Sequence, residues 1–189
     1  MKLPKSYIKN NPKILKKVTA DLKSDKPFHY LFQGDVGSGK TCLAKIIAKN
    51  MLTSGQISPD RVDNLTISAR KHYRDYLNLL GADYTDRSQA LDKLRRSITH
   101  SDFIILDDLG DEKPSTDASH DYFSGIIEDR HDYIRKYEYT KTIITTNLDA
   151  KQFINTYGSR VFDRITECYT IMRFKSHSFR QEKSSIIIG

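Results

Sequence analysis

Residues 34 to 41 constrain this chain more than any other segment, because they satisfy the pattern GxxxxGK[ST] between a run typical of a strand and a run typical of a helix. The glycines allow the backbone to turn its amide groups inward around a phosphate, and the following helix would present its positive N-terminus to the same anion. The candidate nucleotide-binding residues of this loop are Gly34, Asp35, Val36, Gly37, Ser38, Gly39, Lys40, Thr41 and Cys42.

Two side chains at the end of this loop carry its chemistry. Lys40 would reach the β and γ phosphates of a nucleotide, and Thr41 would offer its hydroxyl to Mg²⁺. The alternative is a glycine-rich turn that holds no ligand, but the strand and the helix on either side favour the phosphate site. The pattern predicts a bound nucleotide and leaves the use of that nucleotide open.

An apolar run at residues 103 to 106 ends in two carboxylates, Asp107 and Asp108. Carboxylates at the C-terminal end of a parallel strand lie at the sheet edge where open α/β sheets bind ligands. We assign Asp107 to Mg²⁺, and Asp108 to the orientation or deprotonation of an attacking water. Two acidic residues after a strand can also form a helix cap or a turn, but the phosphate loop favours the metal site.

A third strand-like run, residues 142 to 146, is followed by Asn147. An asparagine after a strand is usually a turn residue. Beside the acidic strand, however, its amide could hydrogen-bond the γ phosphate or the water. The order of the three elements, which is loop, acidic strand and then strand tipped by asparagine, makes this interpretation specific.

Strand-like and helix-like segments alternate along the chain, which predicts a three-layer α/β fold with a central parallel sheet flanked by helices. Strands are predicted at residues 28–32, 64–68, 102–106, 141–146 and 169–174. Helices are predicted at residues 40–52, 70–80, 88–99, 119–137 and 150–166, after a short amphipathic helix between Pro12 and Pro27.

Length and composition suit one globular domain, since the chain has 189 residues, of which 38% are hydrophobic and 29% charged. We expect a basic helical extension at residues 1–27 and the main domain at residues 28–189. No apolar run is long enough to span a bilayer, and two distant cysteines indicate neither disulfides nor a metal site, so a cytoplasmic location is expected. A formal net charge of +7 modestly favours an anionic partner.

In this order, the three elements resemble those of the P-loop ATPases of the AAA+ class. The stretch of residues 106–112 resembles the Walker B region of the DnaC/DnaI helicase loaders and of the related IstB transposition helpers. Residues 145–147 resemble their sensor 1, and residues 159–165 resemble the box that carries their arginine finger. The resemblance runs from about Tyr30 to Arg180.

The resemblance implies an ATPase that uses ATP and Mg²⁺, with Lys40, Asp108 and Asn147 in catalysis. It also implies that Arg164 is an arginine finger that reaches the γ phosphate of a neighbouring subunit in a homo-oligomer, with Arg160 as the second choice. Such fingers contribute roughly 10³ to 10⁵ in rate. Arg180 matches the position of sensor 2 and would be a further nucleotide contact. The alternative for Arg164 is a surface arginine on an amphipathic helix.

The implied partner is a replicative DNA helicase, and two features depart from the family pattern. Helicase loaders usually carry an N-terminal domain that grips the helicase, whereas about 27 residues precede the first predicted strand here. The chain is then an isolated ATPase domain, docks differently, or has a partner that is not a helicase. In addition, Asp108 stands where most AAA+ proteins have glutamate, so hydrolysis is expected to be slow.

Basic and aromatic residues alternate in the predicted helix at residues 70–80, and further basic residues lie in the next helix. Cations and rings together suit single-stranded DNA, whose bases stack on aromatic side chains. The alternative is that the tyrosines on one helix face are buried in the core. The residues concerned are Arg70, Lys71, His72, Tyr73, Arg74, Tyr76, Lys93, Arg95 and Arg96.

Four functions remain open on these grounds. The first is an oligomeric helicase loader that binds single-stranded DNA, and the second is a transposition-helper ATPase that acts on duplex DNA. The third is a small-molecule P-loop kinase, although neither a lid nor an acceptor pocket is recognisable in the sequence. The fourth is an interaction module that binds ATP but barely hydrolyses it.

Overall fold

The computed structural model describes residues 10–24, 26–58, 65–81, 86–112 and 116–175. The strands in these ranges are β1 (His29–Gln33), β2 (Thr66–Ser68), β3 (Phe103–Leu109), β4 (Lys141–Thr146) and β5 (Thr170–Arg173). They form one sheet in the order β2-β3-β4-β1-β5, and every neighbouring pair is parallel. All carboxyl ends of these strands therefore point toward the same edge of the sheet.

Helices cover both faces of the sheet. They are α1 (Pro12–Ser24), α2 (Lys40–Thr53), α3 (Ala69–Gly81), α4 (Arg87–Thr99), α5 (Asp117–Lys136), α6 (Ala150–Tyr157) and α7 (Ser159–Cys168). Successive strand residues alternate between two apolar clusters: Tyr30 and Phe32 pack with α1 and α2, whereas Leu31 packs with α3 to α7. The predicted three-layer α/β fold is confirmed. In the described part of the chain, none of the helices is both long and apolar enough to cross a membrane.

The predicted amphipathic helix near the N-terminus is confirmed as α1, and it packs on the sheet. Val18 is buried in the cluster beneath α1 and α2, and Leu15 and Leu22 pack against that cluster. The hydroxyl of Tyr30 donates a hydrogen bond to the carboxylate of Asp21. The apolar face of α1 therefore belongs to the core of the domain.

The single helix predicted at residues 150–166 is wrong, because the chain forms two helices, α6 and α7, that meet at Gly158. This glycine has φ 87° and ψ 158°, and it is both the C-cap of α6 and the N-cap of α7. Its backbone lies in a region that residues with a Cβ rarely adopt, so it ends the first helix and redirects the chain. A lone glycine within a helical pattern does not reveal such a break.

Strand β3 runs three residues beyond the end predicted at residue 106. Its pairing with β4 shifts register between Leu106 and Leu109, where the chain carries Asp107 and Asp108. The two carboxylates thus lie within an irregular part of the strand instead of after it. The predicted first residue of β2, Asn64, lies outside the described residues.

The buried guanidinium of Arg130 ties α5 to the amino ends of the central strands. Its Nε and Nη2 donate to Thr142 Oγ1 at 3.0 and 2.9 Å, and Nη2 also donates to Lys141 O at 3.2 Å. Nη1 donates to the carbonyls of Thr99 and Ser101 at the end of α4. Burial lowers the pKa of Arg130 from its ordinary value. A buried cation is tolerated here because backbone carbonyls and a hydroxyl surround it.

We expect Arg130→Ala to lower the free energy of unfolding by at least about 3 kcal/mol, because several buried acceptors lose their donors together. Arg96→Ala is the matched control, since Arg96 is exposed and pairs with the equally exposed Asp92 at 3.0 Å, and its loss should stay below about 0.5 kcal/mol. Equilibrium unfolding in urea measures both values. Equal losses for the two variants would contradict a structural role for the buried guanidinium.

Candidate nucleotide-binding site

The loop at residues 34–39 joins β1 to α2, and its conformation depends on glycine. Gly37 and Gly39 have φ values of 84° and 91°, and Gly39 is the N-cap of α2. Gly34 has φ 151°, and a Cβ on it would lie 2.9 Å from the carbonyl oxygen of Phe174. Only residues without a side chain fit these positions. The loop therefore forms a narrow backbone turn at the N-terminus of a helix, which suits a phosphate group.

Lys40, the first residue of α2, lies across this loop with its side chain 4% exposed. Its Nζ donates to the carbonyl oxygens of Gly34 at 2.6 Å and of Asp35 at 2.9 Å. The same ammonium donates to Asn147 Oδ1 at 2.8 Å. The structure thus brings together the lysine of the loop and the asparagine after β4, which are 107 residues apart in the chain.

Thr41 and Asp107 also meet at this edge of the sheet. Thr41 Oγ1 donates to Asp107 Oδ1 at 2.8 Å, and the carboxylate is 8% exposed. A hydroxyl and a carboxylate are oxygen ligands of the kind that Mg²⁺ prefers. The residues present therefore fit a divalent cation beside the phosphate loop.

Thr145 of β4 holds this pair in place, and the sequence interpretation did not include it among the site residues. Its Oγ1 donates to Asp107 Oδ1 at 2.7 Å and accepts from the backbone N–H of Asp108 at 2.9 Å. The available signal was the pair of threonines at the end of β4, Thr145 and Thr146, which precedes Asn147. A hydroxyl at that place is easily taken for ordinary β-propensity.

Asp108 has an unusual backbone conformation at the position assigned to the attacking water. Its φ is 58°, and among the described residues it alone combines a side chain with a positive φ. Such a conformation costs of order 1–3 kcal/mol and persists only where surrounding contacts impose it. Here the hydroxyl of Thr145 accepts its N–H, and its carbonyl accepts the N–H of Asp111 at 3.1 Å. Strain of this kind is typical of functional sites.

The remaining loop residues and the candidate arginines lie at several places. Val36 is 62% exposed, Asp35 is exposed, and Cys42 is half-buried. Within the described ranges, no hydrogen bond or ion pair links Arg160 or Arg164 of α7 to the loop, so the structure does not join them to the site within one chain. Arg180 lies outside the described residues.

The two arginines of α7 differ in their surroundings. Arg160 Nε pairs with Glu128 Oε1 of α5 at 2.9 Å. Arg164 is half-buried and pairs with no carboxylate in the described part of the chain. Its guanidinium is therefore the one of the two that has no acidic partner within its own described chain.

The aromatic residues of α3 belong to the core. His72 and Tyr73 are each 2% exposed, and His72 Nε2 lies 2.9 Å from the hydroxyl of Tyr122. Burial lowers the pKa of His72 to about 4. Tyr76 is half-buried and stacks on Tyr122 with ring centroids 4.1 Å apart. The prediction that these rings would be available to stack on DNA bases is wrong for His72 and Tyr73, because the apolar cluster under α3 takes them.

Among the described residues, the basic side chains nearby divide into those that form ion pairs and those that are exposed. Three of them form ion pairs: Arg70 with Asp111 at 2.6 Å, Arg95 with Asp129 at 2.6 Å, and Arg96 with Asp92 at 3.0 Å. Lys71 and Arg74 on α3 are exposed, and so is Lys93 on α4. An anionic partner would therefore meet mainly these last three residues.

No protein-family profile matches the chain. Over 79 residues, or 42% of its length, the chain is 34% identical to the ATP-dependent DNA helicase RecG of Aquifex aeolicus (strain VF5). The matched segment spans 10% of that helicase.

Solved structures of replication proteins match almost the whole chain. A crystal structure of the DnaC helicase loader matches with a TM-score of 0.66 and 22% identity, over 91% of this chain and 100% of that one. DnaA from Aquifex aeolicus bound to AMPPCP matches with a TM-score of 0.64 and 15% identity, over 98% and 53%. A replication initiator DnaA bound to AMPPCP and single-stranded DNA matches with a TM-score of 0.60 and 16% identity, over 90% and 50%. The chain thus spans about half the length of these DnaA proteins.

Identities this low establish a likeness of fold. The chain has the fold of the DnaC helicase loader and of the DnaA replication initiators.

Proposed function

We propose that this protein binds and hydrolyses ATP and acts in DNA replication in the cytoplasm as a helicase loader that oligomerises and binds single-stranded DNA. One observation carries the proposal. Lys40 contacts Asn147, and Thr41 contacts Asp107, each at 2.8 Å and at the same edge of the sheet. A phosphate-binding ammonium, a pair of oxygen ligands for a metal and a polar amide are therefore available to one triphosphate.

Each of these groups has a distinct role in the proposal. The loop amides and Lys40 bind the β and γ phosphates, and Thr41 and Asp107 hold Mg²⁺. When it is bound, Mg²⁺ neutralises charge on the phosphate oxygens. Asp108 orients or deprotonates the attacking water. The amide of Asn147 hydrogen-bonds the γ phosphate or that water.

The surroundings of the two arginines favour Arg164 as the finger that acts on a neighbouring subunit. Arg160 already pairs with Glu128 at 2.9 Å, so its release would cost that contact. Arg164 has no carboxylate partner among the described residues, and its guanidinium would stabilise negative charge in the transition state. Arg180 is retained as a further nucleotide contact in the proposal.

Charge and fold support the DNA partner. The chain carries a formal net charge of +7, and Lys71, Arg74 and Lys93 are exposed on neighbouring helices. A DnaA protein with the same fold is bound to single-stranded DNA. Contacts from these cations to the phosphate backbone require no aromatic stacking. The replicative helicase is proposed as the protein partner because the fold is that of a helicase loader.

We expect Lys40→Ala to weaken ATP binding at least about tenfold, because charge-assisted hydrogen bonds to phosphate are lost. Lys45→Ala is the matched control, since Lys45 is exposed on the same helix, and its affinity should remain near that of the wild type. Titration calorimetry with a non-hydrolysable ATP analogue and Mg²⁺ measures both affinities. An unchanged affinity in Lys40→Ala would rule out this nucleotide site.

We expect Arg164→Ala to lower hydrolysis by about 10³-fold while ATP affinity stays unchanged, because the finger acts on the neighbour's nucleotide. Mixing this variant with Lys40→Ala should restore hydrolysis: one subunit supplies an intact site and the other supplies the arginine. Phosphate release in the two separate variants and in their mixture measures this. Failure of the mixture to recover would argue against a site shared between subunits, and Arg160→Ala tests the second choice.

We expect single-stranded DNA to raise the rate of ATP hydrolysis. We also expect the double variant Lys71→Ala/Arg74→Ala to bind single-stranded DNA more weakly than the wild type does. Loss of two phosphate contacts should reduce the slope of log affinity against log salt by about 1.4. Lys45→Ala/Lys49→Ala removes the same charge from exposed positions on α2 and should keep the slope. Fluorescence anisotropy at several salt concentrations measures these slopes. A preference for duplex DNA would instead favour a transposition helper.

A further inference from the structure

Glu112 is a carboxylate that the site described above does not use, and it is fully buried at 0% exposure. Its Oε1 accepts hydrogen bonds from the backbone N–H of Gly110 at 2.9 Å and from the hydroxyl of Tyr157 at 2.7 Å. Its Oε2 is buried and has no hydrogen-bond partner in the described structure. Burying a carboxylate with so few donors is costly, so packing alone does not explain a glutamate at this position.

One of the two donors belongs to the turn that follows the candidate catalytic strand. Gly110 has φ 98°, and a Cβ on it would lie 2.8 Å from the side chain of Leu148. The N–H of Asp111 closes this turn on the carbonyl of Asp108 at 3.1 Å. Glu112 therefore contacts the turn that begins at Asp108, the residue with the strained φ of 58°.

The other donor lies where α6 ends and α7 begins. Tyr157 is the last residue of α6 and is 5% exposed, and Gly158 then starts α7, which carries Arg164. The ring of Tyr157 packs on Phe153 with centroids 4.9 Å apart. Burial and the nearby Glu112 carboxylate raise the pKa of Tyr157 well above its ordinary value, and the hydroxyl is the donor in this contact.

We propose that Glu112 and Tyr157 are positioning residues that couple Asp108 to the helix of Arg164 within one subunit. This inference rests on the proposed function. Two hydrogen bonds through Glu112 join Gly110, in the turn after Asp108, to Tyr157, the residue before the helix break at Gly158. A change at Asp108 in the site of one subunit would therefore also move Arg164, which the same subunit offers to its neighbour.

Tyr157→Phe tests this coupling, because it removes one hydroxyl and keeps the ring packing. We expect ATP affinity to stay near that of the wild type while kcat falls about tenfold or more, since small displacements of catalytic groups are costly. Tyr122→Phe is the matched control, as it removes a buried hydroxyl that contacts His72 Nε2 at 2.9 Å. An unchanged kcat in Tyr157→Phe, or an equal fall in both variants, would overturn the proposal.

Mixtures of variants distinguish coupling from a defect that affects Asp108 alone or Arg164 alone. If Tyr157→Phe disturbs only its own finger, mixing with Lys40→Ala restores hydrolysis; if it disturbs only Asp108, mixing with Arg164→Ala does so. Coupling predicts that neither mixture recovers, although Lys40→Ala and Arg164→Ala complement each other. Recovery in either mixture would overturn the coupling.

A second pair of variants applies if Tyr157→Phe does not fold. Glu112→Gln keeps an acceptor for Gly110 and Tyr157, whereas Glu112→Leu removes it at similar size, so Glu112→Gln should retain the larger share of kcat. Equal kcat values would overturn the proposal. A wild-type chain that fails to bind ATP would overturn the proposed function as well, whereas an active wild type with an active Tyr157→Phe would overturn the coupling alone.

Discussion

The hydrogen bond between Lys40 and Asn147 depends on the position of β4 between β1 and β3. In this order, Gln33 at the end of β1 pairs with Thr146, and Leu109 at the end of β3 pairs with the same residue. Side chains after three strands are therefore brought within contact distance, although the chain separates them by many residues. A parallel sheet requires crossover connections of a dozen or more residues, so the helices on its faces follow from the same constraint that assembles the site.

The site combines fixed and strained parts. Thr145 links Asp107 to the backbone of Asp108 through one hydroxyl. Glu112 keeps a carboxylate out of water, and within the described ranges one of its oxygens accepts no hydrogen bond. The positive φ of Asp108 and the buried carboxylate of Glu112 both cost free energy of folding, and the apolar clusters on the two faces of the sheet offset that cost. Stability is thus concentrated in the layers, and unfavourable conformations are concentrated at the edge where phosphate chemistry is proposed.

The sequence predicted the elements that depend on local patterns and missed those that depend on tertiary contacts. Glycine spacing and the residues at the strand ends predicted the loop, the two aspartates and Asn147, which the structure brings to one edge of the sheet. The break at Gly158 was missed because a single glycine is compatible with a helix. Tyr73 could be assigned to DNA or to the core, and only the packing of α5 against α3 decides for the core. Thr145 and Tyr157 gain their meaning from partners 37 or more residues away.

The outer strands of the sheet are its shortest, since β2 has three residues and β5 has four. A short outer strand offers few backbone groups to a strand of another molecule. Extending the sheet into a continuous ribbon is therefore a disfavoured way for copies of this chain to join. An assembly built instead from helix and loop surfaces can be made and broken without unfolding the sheet.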